Sequence, residues 1–368
     1  MIFSCEKGYL YEAVNTVSKA ATVKSPMPVL DGILINSDED SIILTANNLE
    51  LGIQCRIPAD VIEEGSVVIA DARVFSEIIR KLPNDTININ VKENMSTTIK
   101  CQNSVYQIMS LVSAEFPELP FVTDENEITI NAPTLKSMIR QTSYAIAIKN
   151  DKPVLTGSLF EVADNTLSVV SLDGFRLAVR REFVNLKEHK KFILPGKTLS
   201  EITKILKDED EDIKIKVADK YAMIEYGSTK IISRLIDGEY FNYKSIIPSD
   251  FKIKTTVPLS DIITCVERAD PIVSVDVFKN PVKMTINDDF IAIDCMTSTG
   301  MVKDVIQITP CKGEIEIGFN QKYLHDALAA CECDIINMYF NGSLNPLIIM
   351  PNEGDKFLYM VLPVRMSK

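Results

Sequence analysis

Three short stretches at nearly equal spacing constrain this chain more than any single motif. Arg73-Val74-Phe75-Ser76-Glu77-Ile78, Lys197-Thr198-Leu199-Ser200-Glu201-Ile202 and Lys322-Tyr323-Leu324-His325-Asp326-Ala327 start 124 and then 125 residues apart. Each opens with a cation and continues with apolar residues at helical spacing: Phe75/Ile78/Ile79/Leu82, Leu199/Ile202/Leu206 and Leu324/Ala327/Leu328/Cys331. That spacing predicts three amphipathic helices, each with one buried stripe. The leading cation lies two residues before the stripe, about 200° round the helix from it, so it points away from the core. Arg80 and Lys204 lie on the same side.

The flanks repeat as well, which makes the period a domain. Val67 to Ile69, Phe192 to Leu194 and Ile315 to Phe319 run into the three helices as strands, and Ile87 to Val91, Ile213 to Val217 and Ile335 to Phe340 follow them. In the first two copies strict alternation predicts one wet and one dry face. A second helix opens each unit, with stripes Leu10/Ala13/Val14/Val17, Leu135/Met138/Ile139 and Leu259/Ile262/Ile263/Val266. Leu111 to Phe116 and Leu235 to Tyr240, each followed by a polar or proline-containing stretch, read as linkers. The expected fold is α+β: three tandem similar domains, 1–121, 122–249 and 250–368, each with two helices packed on antiparallel sheets.

Composition agrees. A chain of 368 residues that is 46% hydrophobic is long enough for two or three cores, since single cores stop growing near roughly 250 residues. No apolar run is long enough to span a bilayer, and Met1-Ile2-Phe3 enters a strand pattern without a basic, hydrophobic leader, so a cytoplasmic location is expected. Cys5, Cys55, Cys101, Cys265, Cys295, Cys311, Cys331 and Cys333 are scattered through apolar patterns and read as reduced thiols.

Catalytic chemistry is hard to find. His189 and His325 stand at no metal-ligand spacing, Cys331-x-Cys333 has no second pair to complete a zinc site, and Asp208 to Asp212 lacks the glycine and spaced ligands of a calcium loop. Pro195-Gly196-Lys197-Thr198 imitates the end of a phosphate-binding loop. That loop needs a further glycine five positions before its Gly-Lys pair, where this chain has Lys191. The sister units have Asp71-Ala72-Arg73 and Asn320-Gln321-Lys322 there, which makes the site a structural corner.

A net charge of −12 should repel polyanions, yet each unit keeps an exposed cation in register. An acidic exterior with a basic inner track suits a protein that handles nucleic acid in one geometry only. A domain of this size is roughly 35 Å across. Three in a ring leave a hole of about 5 Å and six leave roughly 35 Å, and only the second admits a duplex about 20 Å wide.

With Ser171-Leu172-Asp173-Gly174-Phe175-Arg176-Leu177-Ala178, Leu235-Ile236-Asp237-Gly238-Glu239, Gly313 to Asn320 and the ending Tyr359 to Arg365, the triplicated chain resembles the bacterial sliding clamps, the beta subunits of DNA polymerase III. The resemblance covers essentially the whole chain and implies half of a six-domain ring, the DNA clamp fold. It implies a non-enzymatic DNA polymerase processivity factor without a cofactor: a homodimer that slides on duplex DNA and tethers the polymerase. Carried over residue by residue, the pore would present Lys24, Arg73, Arg80, Lys136, Arg140, Lys149, Lys152, Lys197, Lys204 and Lys322. A pocket for short linear peptides from the polymerase, the clamp loader and repair proteins would use Leu155, Leu172, Gly174, Phe175, Arg176, Leu177, Ile246, Leu344, Pro346, Met360, Val361, Leu362, Pro363, Val364, Arg365 and Met366. The dimer contact would join Tyr106 and Ile108 to Ile272 and Val273.

This chain departs from the family at Phe241, where a proline is usual, and at Val74, Ser298 and Gly300, where some relatives carry charged interface partners. The alternative function is a triplicated protein-interaction scaffold that does not encircle DNA.

Overall fold

The computed structural model describes residues 1–274, 280–310 and 313–366. Its helices bury the stripes that the periodicity predicts. Lys7–Val17 buries Leu10, Ala13, Val14 and Val17, and Ala72–Lys81 buries Ala72, Phe75, Ile78 and Ile79. Each large apolar side chain removed from water in this way contributes roughly 1.5–3 kcal/mol. In Leu259–Glu267, Cys265 joins Ile262 and Val266 in the core, while Leu259 and Ile263 are only partly buried.

The helix starts explain the misleading Gly-Lys-Thr. Asp71 caps Ala72–Lys81, its carboxylate accepting from the Arg73 and Val74 amides at 2.9 and 3.0 Å, and Asn320 caps Gln321–Ala329 through the Tyr323 amide at 3.2 Å. Gly196–Ile205 begins on a glycine because a Cβ there would stand 3.1 Å from both the Thr156 carbonyl oxygen and Ile146 Cγ2. The corner is a packing requirement.

Each repeat carries two antiparallel meanders. The first has Ile33–Asp38, Ser41–Asn47, Leu51–Pro58 and then Thr86–Val91, Ser96–Cys101, Ser104–Leu111. The second has Gly157–Ala163, Thr166–Leu172, Arg176–Phe183 and then Asp212–Ala218, Tyr221–Tyr226, Thr229–Arg234. The third has Val282–Ile286, Phe290–Thr297, Gly300–Gln307 and then Ile335–Phe340, Leu347–Pro351, Phe357–Val361. One further contact repeats three times: Leu111 pairs with Val68, the Ile236 amide donates to Ile193 O at 3.0 Å, and the Val364 amide to Gly318 O at 2.8 Å.

Compact units cut across these repeats. Met1–Thr134 with Ser200–Leu235 form one, and Leu135–Leu199 with Ile236–Lys368 the other. The reason is edge-to-edge pairing. In the first unit Leu51–Pro58 bonds to Thr229–Arg234, with Leu51 opposite Ser233, which continues a sheet of 13 strands among the described residues. In the second, Arg176–Phe183 bonds to Phe357–Val361, with Arg176 opposite Val361, in a sheet of eight. The two seams share one register relative to the repeat.

Two edges at the corresponding positions lack such a seam among the described residues. Gly300–Gln307 pairs only with Phe290–Thr297. Ser104–Leu111 pairs along its length with Ser96–Cys101 and touches Ser66–Ile69 only through Ser110 and Leu111.

Candidate functional site

Beside the second seam lies a cavity of about 780 Å³, lined by Lys152, Val154, Leu155, Leu172, Gly174, Phe175, Arg176, Glu239, Tyr240, Phe241, Asn242, Ile246, Pro346, Met360 and Leu362. Its floor is a buried apolar cluster that includes Leu155, Leu172, Leu177, Tyr243 and Met360. One wall is the tight turn at Asp173-Gly174. Gly174 has φ +95, a left-handed conformation that disfavours side chains, and Asp173 accepts from the Phe175 and Arg176 amides at 2.9 and 3.0 Å.

Arg176 stiffens that wall. Its guanidinium bonds Asp173 at 2.9 Å and Asp326 at 2.5 Å and lies 4.4 Å over the Tyr323 ring. Burial opposes its charge, but the two carboxylates raise its pKa above the ordinary value. Leu362 closes the far side, its amide donating to Phe175 O at 2.8 Å. The opposite wall is the linker after the Asp-Gly turn. Tyr240 donates to Val170 O at 3.4 Å, and burial pushes its phenol up.

Nine of the expected pocket residues line this cavity: Leu155, Leu172, Gly174, Phe175, Arg176, Ile246, Pro346, Met360 and Leu362. Leu177 lies beneath it in the floor cluster, and Val361 packs into the separate third-repeat core. Leu344 is 69% exposed outside the lining. Pro363, Val364, Arg365 and Met366 also lie outside, because Val364 is clipped to Gly318 and Met366 covers that glycine. Ser367 and Lys368 fall outside the described residues. Sequence reasoning missed Val154, Glu239, Tyr240 and Asn242 as lining residues. Their signal was position: they flank the quoted Asp237-Gly238 turn or precede Leu155.

A second cavity of about 730 Å³ shares Phe175 and Arg176 with the first and is also lined by Asp173, Lys149, Lys322, Asn320 and Tyr323. Phe175 and Arg176 thus form the partition between an apolar cavity and one bearing two of the expected DNA-facing cations.

Among the ten expected cations, Lys24, Arg73, Arg80, Arg140, Lys149, Lys152, Lys197, Lys204 and Lys322 are exposed. Lys136 is only 7% exposed, because it stands on the buried side of its helix next to Leu135. Arg80 and Lys204 are ion-paired one turn back, to Glu77 and Glu201, at 2.7 Å each, and Arg73 lies 4.0 Å from Asp71.

The unpaired edges carry apolar side chains. Met109 is 63% exposed on one and Met301 65% on the other, with Val105, Tyr106 and Val305 also open. Tyr106 borders a recess with Val74 and Ile78, Ile108 is half-buried, Ile272 lies beside Gly300, and Val273 packs on the third-repeat core. Cys5, Cys55, Cys101, Cys265, Cys295, Cys331 and Cys333 take part in no disulfide, and Cys311 falls outside the described residues. No group of three metal-ligating side chains occurs among the described residues, and no helix there is long and apolar enough to cross a membrane.

Three tandem helix-and-meander repeats, zipped edge to edge beside an apolar cavity, define the class: a sliding-clamp fold. Comparison with known proteins gives the family. Residues 1–120, 129–242 and 244–365 match the N-terminal, central and C-terminal domains of the DNA polymerase III beta subunit. A beta sliding clamp of Staphylococcus epidermidis is 31% identical over 376 residues, covering 99% of each chain. The DNA polymerase sliding clamp of Bacillus subtilis is 30% identical with a TM-score of 0.96 over 100% of both chains. A Pseudomonas aeruginosa sliding clamp bound to griselimycin shares the fold at 23% identity, TM-score 0.94, over 100% of both. The chain belongs to the DNA polymerase III beta subunit family, the beta sliding clamps, and is a DNA polymerase processivity factor.

Proposed function

We propose that two copies of this chain close head to tail into a ring of six repeats, 1–121, 122–249 and 250–368 from each, that encircles and slides on duplex DNA. The observation that carries this reading is the pair of unpaired edges. Two seams join the third strand of one repeat's first meander to the last strand of the next repeat's second meander. Among the described residues, Gly300–Gln307 and Ser104–Leu111 hold those two positions with their outer edges unseamed, and a second copy related by one two-fold operation supplies both. The shared register then puts Gly300 opposite Ile108 of the second copy. Exposed apolar edge strands associate unless they are covered, and Tyr106, Ile108, Ile272 and Val273 would line the contact. Ser298 and Gly300 bring no charge to it.

Within the ring, the exposed cations attract phosphates without regard to sequence, which leaves motion along the duplex unhindered. Lys136 contributes little to this track. The subunit is non-catalytic and works in the cytoplasm. The cavity beside the second seam receives short linear peptides of the polymerase, the clamp loader and repair proteins, with methionine and leucine adapting to different ligands. The griselimycin complex of the Pseudomonas relative supports a ligand-binding role.

Sedimentation equilibrium tests the ring. A species near twice 41.1 kDa is expected, whereas a monomer that persists with loader and DNA would leave the scaffold reading standing. Exchanging Arg73, Lys197 and Lys322 together for glutamate should weaken retention on circular DNA; unchanged sliding would refute the pore assignment.

A further inference from the structure

Glu161 is only 3% exposed, in the middle of the buried strand Gly157–Ala163. An ionised carboxylate there is costly unless it is paired and hydrogen-bonded. Three donors meet it. Lys191, directly opposite across the ladder, bonds Oε1 at 2.9 Å. Lys244 Nζ and the Tyr243 hydroxyl each reach Oε2 at 2.9 Å. Burial would raise the carboxyl pKa, but these bonds hold it down at about 2, so the group stays ionised.

Two of the three donors belong to the linker, and the linker is a wall of the cavity. Tyr240 is held at one end by Val170, and Tyr243 and Lys244 are held at the other by Glu161. Phe241 and Asn242, both lining residues, span the gap between these anchors and belong to no helix or strand. Nor does a proline between Asp237 and Ile247 stiffen the span. Backbone without a ladder must be ordered by side-chain anchors, or the ligand bears the entropy of ordering it.

We propose that Glu161 is a positioning residue for the peptide cavity: it holds the linker wall in its binding conformation without touching the ligand, and so sets how tightly an apolar peptide is held. The proposal rests on the reading of the cavity as the peptide site. Glu161→Gln keeps an acceptor for Tyr243 but loses the charge that holds both lysines, and Lys244→Met, at an exposed side chain, removes only the linker's ammonium.

The test is calorimetric titration of the full chain with griselimycin, using the wild type, both variants, the double variant and Leu362→Asp, which puts a carboxylate in the apolar lining. Amide exchange over residues 239–246 is measured alongside. Each single variant should bind roughly tenfold more weakly, one charged hydrogen bond's worth. The double variant should bind no more weakly than Glu161→Gln, and exchange should quicken at 239–246 but not in Arg176–Phe183. Unchanged affinity and exchange in Lys244→Met, with binding lost in Leu362→Asp, would overturn the anchor and leave the cavity reading intact. Failure of the wild type to bind, or full binding by Leu362→Asp, would overturn the cavity reading and the anchor with it.

Discussion

The two seams are built alike, yet one is sealed by its own linker and the other stands open. In the first, Gly52 faces Ile232, and a Cβ on Gly52 would lie 2.3 Å from Leu119 Cδ2. Leu119 therefore lies flat on the seam, packed against Val122, Met223 and Ile232, while Asp124 ties the linker down by accepting from the Val217 amide at 3.0 Å. The remaining cavity is about 360 Å³. In the second seam Leu177 holds the position of Gly52 and faces Met360. A leucine side chain there forms part of the floor, the linker stands off on its Tyr240 and Glu161 anchors, and about 780 Å³ stays open. One side chain and two anchors separate a sealed joint from an open cavity on the same scaffold.

The largest effect should come from giving the first seam the residue of the second. Gly52→Leu collides with Leu119 and should lower unfolding stability by about 2–3 kcal/mol, visible as an earlier transition in urea. A wild-type transition would mean that the glycine is not what admits the linker. Leu119→Ala, which unplugs the first seam without a clash, should cost about 1–2 kcal/mol because Leu119 is only partly buried. Its griselimycin stoichiometry should remain that of the wild type, since the first seam lacks the standing-off wall. A second bound equivalent would show that unplugging alone makes a site.

Acid should loosen the linker of the second seam. The folded-state pKa of Glu161 lies below its ordinary value, so its stabilisation is complete above about pH 4.5 and is lost as pH falls through about 2. Near-ultraviolet circular dichroism of Tyr240 and Tyr243 should change over that window in the wild type and stay flat in Glu161→Gln. Identical curves would remove the carboxylate from the account. The smallest effect is expected from Phe241→Pro, which stiffens the span at an exposed lining position; griselimycin affinity should rise a fewfold at most, and a tenfold loss would show that the aromatic ring itself makes contact.

Much of this was legible in the sequence. The helix stripes and the tandem α+β repeats follow from periodicity, and nine residues of the cavity lining follow from the resemblance to the clamps. The family's pore pattern places Lys136 among the exposed cations, but its neighbours in space bury it. Val361 sat in a quoted motif, yet strand alternation turns it into the third-repeat core while Met360 faces the cavity. Tyr240 and Asn242 lie in a segment without periodicity, and Tyr240 is held by the main chain of Val170, far away in the sequence.

By itself the sequence determined the triplication, the amphipathic faces and the family, because spacing of apolar residues and local motifs are properties of neighbours along the chain. Tertiary structure alone decided that the compact units cut across the repeats, that Leu119 seals one seam and that Glu161 anchors the wall of the other. Each of these depends on which strand edge meets which and on what space remains when they meet. Edge pairing, close contact and buried charge join residues distant in sequence, and no local pattern encodes them.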